Sequence, residues 1–255
     1  MEPVEEVLLM ARGAFCPFLP SRRIAADVRA ELLRIMYLLS EQDFQSLDEE
    51  NQAWLPRLGI LKHHTAVQEI RRVLEASSTV SLCLERAAWI YCWLASRGTI
   101  HPWMLLRLGA YALQVDWPTT LKHLAHALPS AGRPTALSIR HVQGRYYACM
   151  IYQRSCTDAR EHEVMCLVLC RGHRVAAACA QTKDGWLALM AALNVALLGE
   201  SVELQQGLHE SVDAAFSAAL RGDGGSLLIR VDRDTCAAAS LSGASEPQQQ
   251  LVDLS

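Results

Sequence analysis

Cys166, Cys170, His173 and Cys179 are the densest set of metal-ligating residue types in the chain. Zinc would need its ligands about 2 Å from one point. The stretch from Val164 to Leu169 reads as a strand, however, and on a strand Cys166 and Cys170 stand roughly 13 Å apart at about 3.3 Å per residue. One ion does not bridge that without a bend, so the set reads as buried core thiols. Nine cysteines and nine histidines would allow many thiol–imidazole couples, but no local signature singles one out as a nucleophile and base. His63 and His64 read as part of a solvated polar loop. Gly222-Asp223-Gly224-Gly225 precedes a strand, where a phosphate cradle would precede a helix N-terminus, so it reads as a turn. Trp89, Trp93 and Trp103 could form a ligand cage, yet at helical spacing they read as core. Trp54 lies in the polar stretch from Asp48 to Arg57 and is a candidate contact residue. The reading is non-enzymatic, with no catalytic residue, no metal and no cofactor.

The elements that would position these residues change character along the chain. Val28, Leu32, Ile35, Met36 and Leu39 repeat on one helical face. Ser40 follows and can cap a second helix, with Asp43 three residues on to complete a capping box; Phe44 and Leu47 open its apolar face. Val67, Ile70, Val73 and Leu74 mark another helix. Glu85 to Ala95 is apolar nearly all round, as a central helix is, and Gly98 ends it. Pro102 suits the first position of a helix running to about Gln114, and Asp116 offers the cap of a last one bearing Leu121, Leu124, Ala125 and Leu128. After the stretch from Pro129 to Pro134 the period becomes two: Leu137, Ile139 and His141, then Tyr147, Cys149 and Ile151. Cys170 to His173 joins two strands as a hairpin turn. Asp184 caps a helix with the stripe Trp186, Met190, Leu193 and Leu197, closed by Gly199. A second carries Leu208, Val212, Ala215, Phe216 and Ala219, and Ser226 to Val231 is a closing strand.

These elements predict an α+β chain: an N-terminal antiparallel helical bundle, then an antiparallel sheet with helices on one face. The boundaries follow as an extension over 1–23, a helical domain over 24–128, a linker over 129–135, an α+β sandwich over 136–240 and a disordered tail over 241–255. The chain is 51% hydrophobic and 20% charged, which suits a packed core. Its net charge is −3, with 14 basic and 14 acidic groups in residues 1–133 and 10 and 13 in the rest. Neither half has the basic excess of a nucleic-acid-binding domain. No apolar run is long enough for a membrane span, and the acidic start, with Arg12 behind the apolar stretch, is not a secretory signal. An odd number of cysteines within apolar runs points to free thiols in a reducing compartment, the cytoplasm and also the nucleus.

Leu32-Leu33-Arg34-Ile35, then Leu39 to Phe44 and Leu47, resembles the first helix and the start of the second in the death-effector domain, a six-helix member of the death fold. Trp93 to Gly98, Ile100, Leu105-Leu106 and Leu108 resemble its fourth and fifth helices. At the family's Arg-x-Asp-Leu charge motif stand Gln114, Val115, Asp116 and Trp117, where the aspartate alone matches. The second half is similar, more faintly, to the N-terminal sandwich of TRADD and the C-terminal part of the DEDD proteins, through Val164 to Leu169, Trp186 to Leu198 and Leu227 to Asp232. The resemblance implies an adaptor or inhibitor in apoptotic or innate-immune signalling whose partners are other proteins with death-fold domains. On it, the contact residues are Glu41, Asp43, Phe44 and Leu47 with Asp116, to which Trp54 is added from its polar surroundings alone; Phe44→Gly is then expected to abolish partner binding at little cost in melting temperature. The competing reading puts Phe44 and Leu47 in the core. A structural subunit of a larger assembly, viral ones included, is the alternative function.

Overall fold

The computed structural model describes residues 28–128, 135–153, 162–221 and 226–228. The expected extension over 1–23, the tail, the Gly222 to Gly225 turn, and Cys16, Cys156 and Cys236 lie outside the described residues. In chain order the elements are α1 (Val28–Met36), α2 (Glu41–Glu49), α3 (His63–Glu75), α4 (Val80–Ser96), β1 (Trp103–Arg107), a 3-10 turn (Ala110–Leu113), α5 (Trp117–Ala127), β2 (Ala136–Val142), β3 (Arg145–Gln153), β4 (His162–Cys170), β5 (Val175–Ala180), α6 (Lys183–Ala196), β6 (Glu203–His209), α7 (Val212–Arg221) and β7 (Ser226–Leu228).

The strands form one seven-stranded antiparallel sheet in the order β2-β3-β4-β5-β1-β6-β7. Alternating side chains feed two cores. Cys149, Ile151, Cys166, Val168 and Ala177 point to one face, where they meet α1 to α4 and Phe216 of α7. Met150, Tyr152, Met165, Leu167 and Ala178 point to the other, where they meet α5 and α6. Helices therefore cover both faces, which corrects the expectation of helices on one.

The helix expected from Pro102 to Gln114 is also corrected. Trp103 to Arg107 is β1, and it lies between β5 and β6 near the middle of the sheet. Its side chains alternate between the cores, Trp103 and Leu105 to one and Leu106 to the other. A strand buried on both faces reads as a continuous apolar run, without the alternation that marks a half-buried one. The expected linker lies, except for residue 135, outside the described residues; the sheet takes strands from both sides of it. Leu208, expected in a helix with Val212, belongs to strand β6.

Several local signals hold. The Ser40–Asp43 capping box is formed, with the Asp43 amide donating to Ser40 Oγ at 3.2 Å and the Ser40 amide to Asp43 Oδ2 at 2.9 Å. Asp116 caps α5 by accepting from the Thr119 amide. The Cys170 to His173 turn joins β4 to β5. The cap of α6, however, is Thr182, whose Oγ1 accepts from the Gly185 amide at 3.0 Å, and not Asp184. Among the described residues, no helix is long and apolar enough to cross a membrane.

Candidate docking surface

Among the six expected contact residues, two are interior. Phe44 is 1% and Leu47 0% exposed, and the Phe44 ring meets His63 edge-on at 5.3 Å. Positions 44 and 47 share the α2 face that packs inward, so neither side chain offers a surface to a partner. Glu41 is exposed. Asp43 is engaged locally: burial pushes its carboxyl up, and the Ser40 hydroxyl and amide with the Arg97 guanidinium more than reverse this, leaving it below its ordinary value. Asp116 is exposed, but its Oδ2 holds the start of α5, accepting from both the amide and the hydroxyl of Thr119. His63 and His64 are not in a loop; they open α3.

Trp54 is half-buried and stands edge-on to Trp89, with ring centres 5.5 Å apart. The Arg86 guanidinium lies 5.4 Å from the Trp54 ring centre and that of Arg140 lies 5.7 Å from Trp89. The two rings already hold the chain's own cations. Trp89, with Trp54 against it, thus braces α4 toward β2, while Trp93 and Trp103 are buried in the core.

The cysteines come together differently from their order in the sequence. Cys149, Cys166 and Cys179 are register partners across β3, β4 and β5, one lateral row at the strand spacing of about 4.8 Å. Cys92 of α4 lies over this face and donates to the Tyr147 carbonyl at 3.1 Å. Burial pushes the Cys92 thiol up to about 12, and burial with the neighbouring Cys166 raises Cys149 well above its ordinary value. Cys92 and Cys149 are therefore neutral thiols at ordinary pH, which suits packing and opposes nucleophilic attack. Among the described residues no three His, Cys, Asp or Glu side chains are placed to hold a metal ion.

Large apolar side chains do reach solvent at the corner where α1 ends and α3 begins. Leu38 is 72%, Ile60 81% and Tyr37 41% exposed. The Tyr37 ring lies 6.2 Å from His63 and 6.1 Å from His64, and its hydroxyl accepts from Gln68 Nε2 at 2.7 Å. Glu41 and Lys62, both exposed, flank the corner with opposite charges. Exposed aliphatic side chains with charged residues close by in the chain are the ordinary makings of a contact surface. Sequence reasoning passed over Leu38 and Ile60. The signal available for Leu38 was its place off the inward stripe, next to Leu39 on it.

A scan of the chain against protein-family models and a search of curated proteins give no match.

Proposed function

We propose that the chain is a non-enzymatic adaptor or inhibitor in apoptotic or innate-immune signalling, acting in the cytoplasm and the nucleus by docking on other proteins. The observation that carries the docking role is the exposure of Tyr37, Leu38 and Ile60 in the segments that end α1 and lead into α3, with exposed Glu41 and Lys62 in the same segments. Apolar side chains at such a corner supply contact area, and the flanking charges select the partner. The choice of death-fold domains as partners comes from the resemblance of residues 32–47 and 93–98; the segment around Leu105, expected as the family's fifth helix, is strand β1 and lends it nothing.

The test is binding of the full chain to a panel of purified death-fold domains. Leu38→Glu with Ile60→Glu is expected to remove binding while circular dichroism stays unchanged. If no domain in the panel binds, the signalling assignment fails; if one binds and the double variant does too, the corner is wrong.

One observation favours the alternative, a structural subunit of a larger assembly. β1 locks the helical segment into the middle of the sheet, which makes the helices and sheet a single framework. Co-purification of the full chain in a stoichiometric complex, unaffected by the double variant, would select this reading.

A further inference from the structure

Among the described residues, β2 ends the sheet and has β3 as its one neighbour. The hairpin fixes where its amides point. Val142 and Arg145 are register partners on either side of Gln143 and Gly144, whose φ angles are 50° and 76°. Two successive positive φ values make a type I′ turn, and the pair closing such a turn exchanges both hydrogen bonds. Counting back from Val142, residues 140, 138 and 136 direct their N–H and C=O groups to β3. His141, Ile139 and Leu137 direct theirs to the open side. Among the described residues, no strand other than β3 pairs with β2 and no turn or loop backbone group bonds to those three.

The apolar surface of both cores runs out to this edge. Ala136 and Val142 belong to the core under α4, with Trp54 and Trp89 half-buried against it. Leu137 and Ile139 are half-buried against the other. Ala136 to Val142 contains no proline, no lysine and no bulge, the devices that ordinarily blunt an edge. Its one arginine, Arg140, is turned inward to Glu50.

We infer that β2 of one copy pairs antiparallel with β2 of a second copy, across a two-fold axis at Ile139. This register joins outward-pointing residues to outward-pointing residues along the whole strand and makes about six inter-chain hydrogen bonds. It sets Leu137 opposite His141, Ser138 opposite Arg140 and Ala136 opposite Val142, so no like charges face each other. A self-complementary strand is what an isologous contact requires. The seam also covers Trp54 and Trp89 on one face and Leu137 and Ile139 on the other. The inference stands apart from the docking corner and does not depend on the signalling reading.

The test is light scattering of the full chain over roughly 1 to 100 μM, the range in which a contact of this size would titrate. The mass is expected to rise from 28.2 kDa toward twice that value. Ile139→Pro removes an N–H that β3 does not use, which an edge strand tolerates, and is expected to weaken association at least about tenfold with an unchanged far-ultraviolet spectrum. Ile139→Lys keeps the N–H and sets two charges face to face at the axis; it gives the same reading if the proline variant fails to fold. Hydrogen exchange is expected to show the amides of 137, 139 and 141 protected in proportion to concentration. A chain that stays single at every concentration overturns the inference, as does a dimer indifferent to both variants. So does protection at those amides independent of concentration, which would place another segment of the same chain on the edge.

Discussion

Arg140 of β2 and Glu50 at the end of α2 form a two-pronged ion pair, Nη1 to Oε2 at 3.0 Å and Nη2 to Oε1 at 2.6 Å. The pair ties the loop after α2 to the edge strand, and the same guanidinium covers Trp89. The two side chains keep 16% and 29% of their exposure, so solvent screens them incompletely. Arg140→Ala leaves a half-buried carboxylate unpaired and uncovers an indole, and is expected to cost about 2 kcal/mol, read as a lower urea midpoint. Arg140→Lys should restore little of it, because an ammonium cannot make the forked contact. Recovery by lysine would reduce the pair to simple charge attraction.

Phe44 sets a second expectation, opposite to the one the sequence suggested. At 1% exposure, Phe44→Ala should lower stability by about 3 kcal/mol through the cavity it leaves, and glycine should cost more. Leu38→Ser on the neighbouring surface should stay within about 0.5 kcal/mol. Denaturant unfolding of the two variants side by side decides it. Equal costs would mean that Phe44 is not core.

Glu163 is 1% exposed and grips the start of α6, accepting from the amides of Gln181 and Thr182 at 3.0 and 2.9 Å and from the Thr182 hydroxyl at 2.9 Å. A Cβ on Gly185 would collide with this carboxylate, which its own bonds hold in place. Gly185→Ala is expected to cost about 2 kcal/mol, against the usual helical gain of alanine over glycine. A stabilised variant in thermal unfolding would show that the carboxylate yields.

The Cys92 thiol makes stability fall in alkali. Its pKa is about 12 folded against 9.0 as the ordinary value, so from pH 9.0 upward the unfolded chain releases a proton that the folded chain keeps. The stabilisation is full below the unfolded value and is lost as pH climbs toward the folded one, at about 1.4 kcal/mol per pH unit. Other groups titrate in the same range, so the measurement is the difference in slope between the natural chain and Cys92→Ala, which should be shallower. Identical slopes would remove the assignment.

The sequence carried its local chemistry plainly. Ser40 with Asp43, Asp116 and the Gly172 turn were legible because each depends on a few adjacent residues. Val67, Ile70 and Leu74 were legible because α3 buries one side only. β1 was not, since Trp103 to Arg107 is enclosed on both sides and has no alternation to read. β6 was hidden by a register shift: Met104 pairs with Leu208 and Leu106 with Leu204, so four residues of β6 answer two of β1, with Gly207 at φ 118° in between. Such a bulge breaks the two-residue period and left Leu208 spaced from Val212 as on a helix. The exposed Leu38 and Ile60 were missed for another reason. Periodicity shows which side chains go inward, and Leu38 and Ile60 are defined by lying outside that pattern.

The place of β1 bears on how the chain is made. A ribosome delivers Trp103 to Arg107 well before the two strands that flank it, Val175 to Ala180 and Glu203 to His209. Until both emerge, a hydrophobic ribbon waits with two open flanks, and the loops that must close around it are long. An incomplete nascent chain is therefore the state most exposed to mispairing, and neither half expressed alone has a complete sheet to fold into.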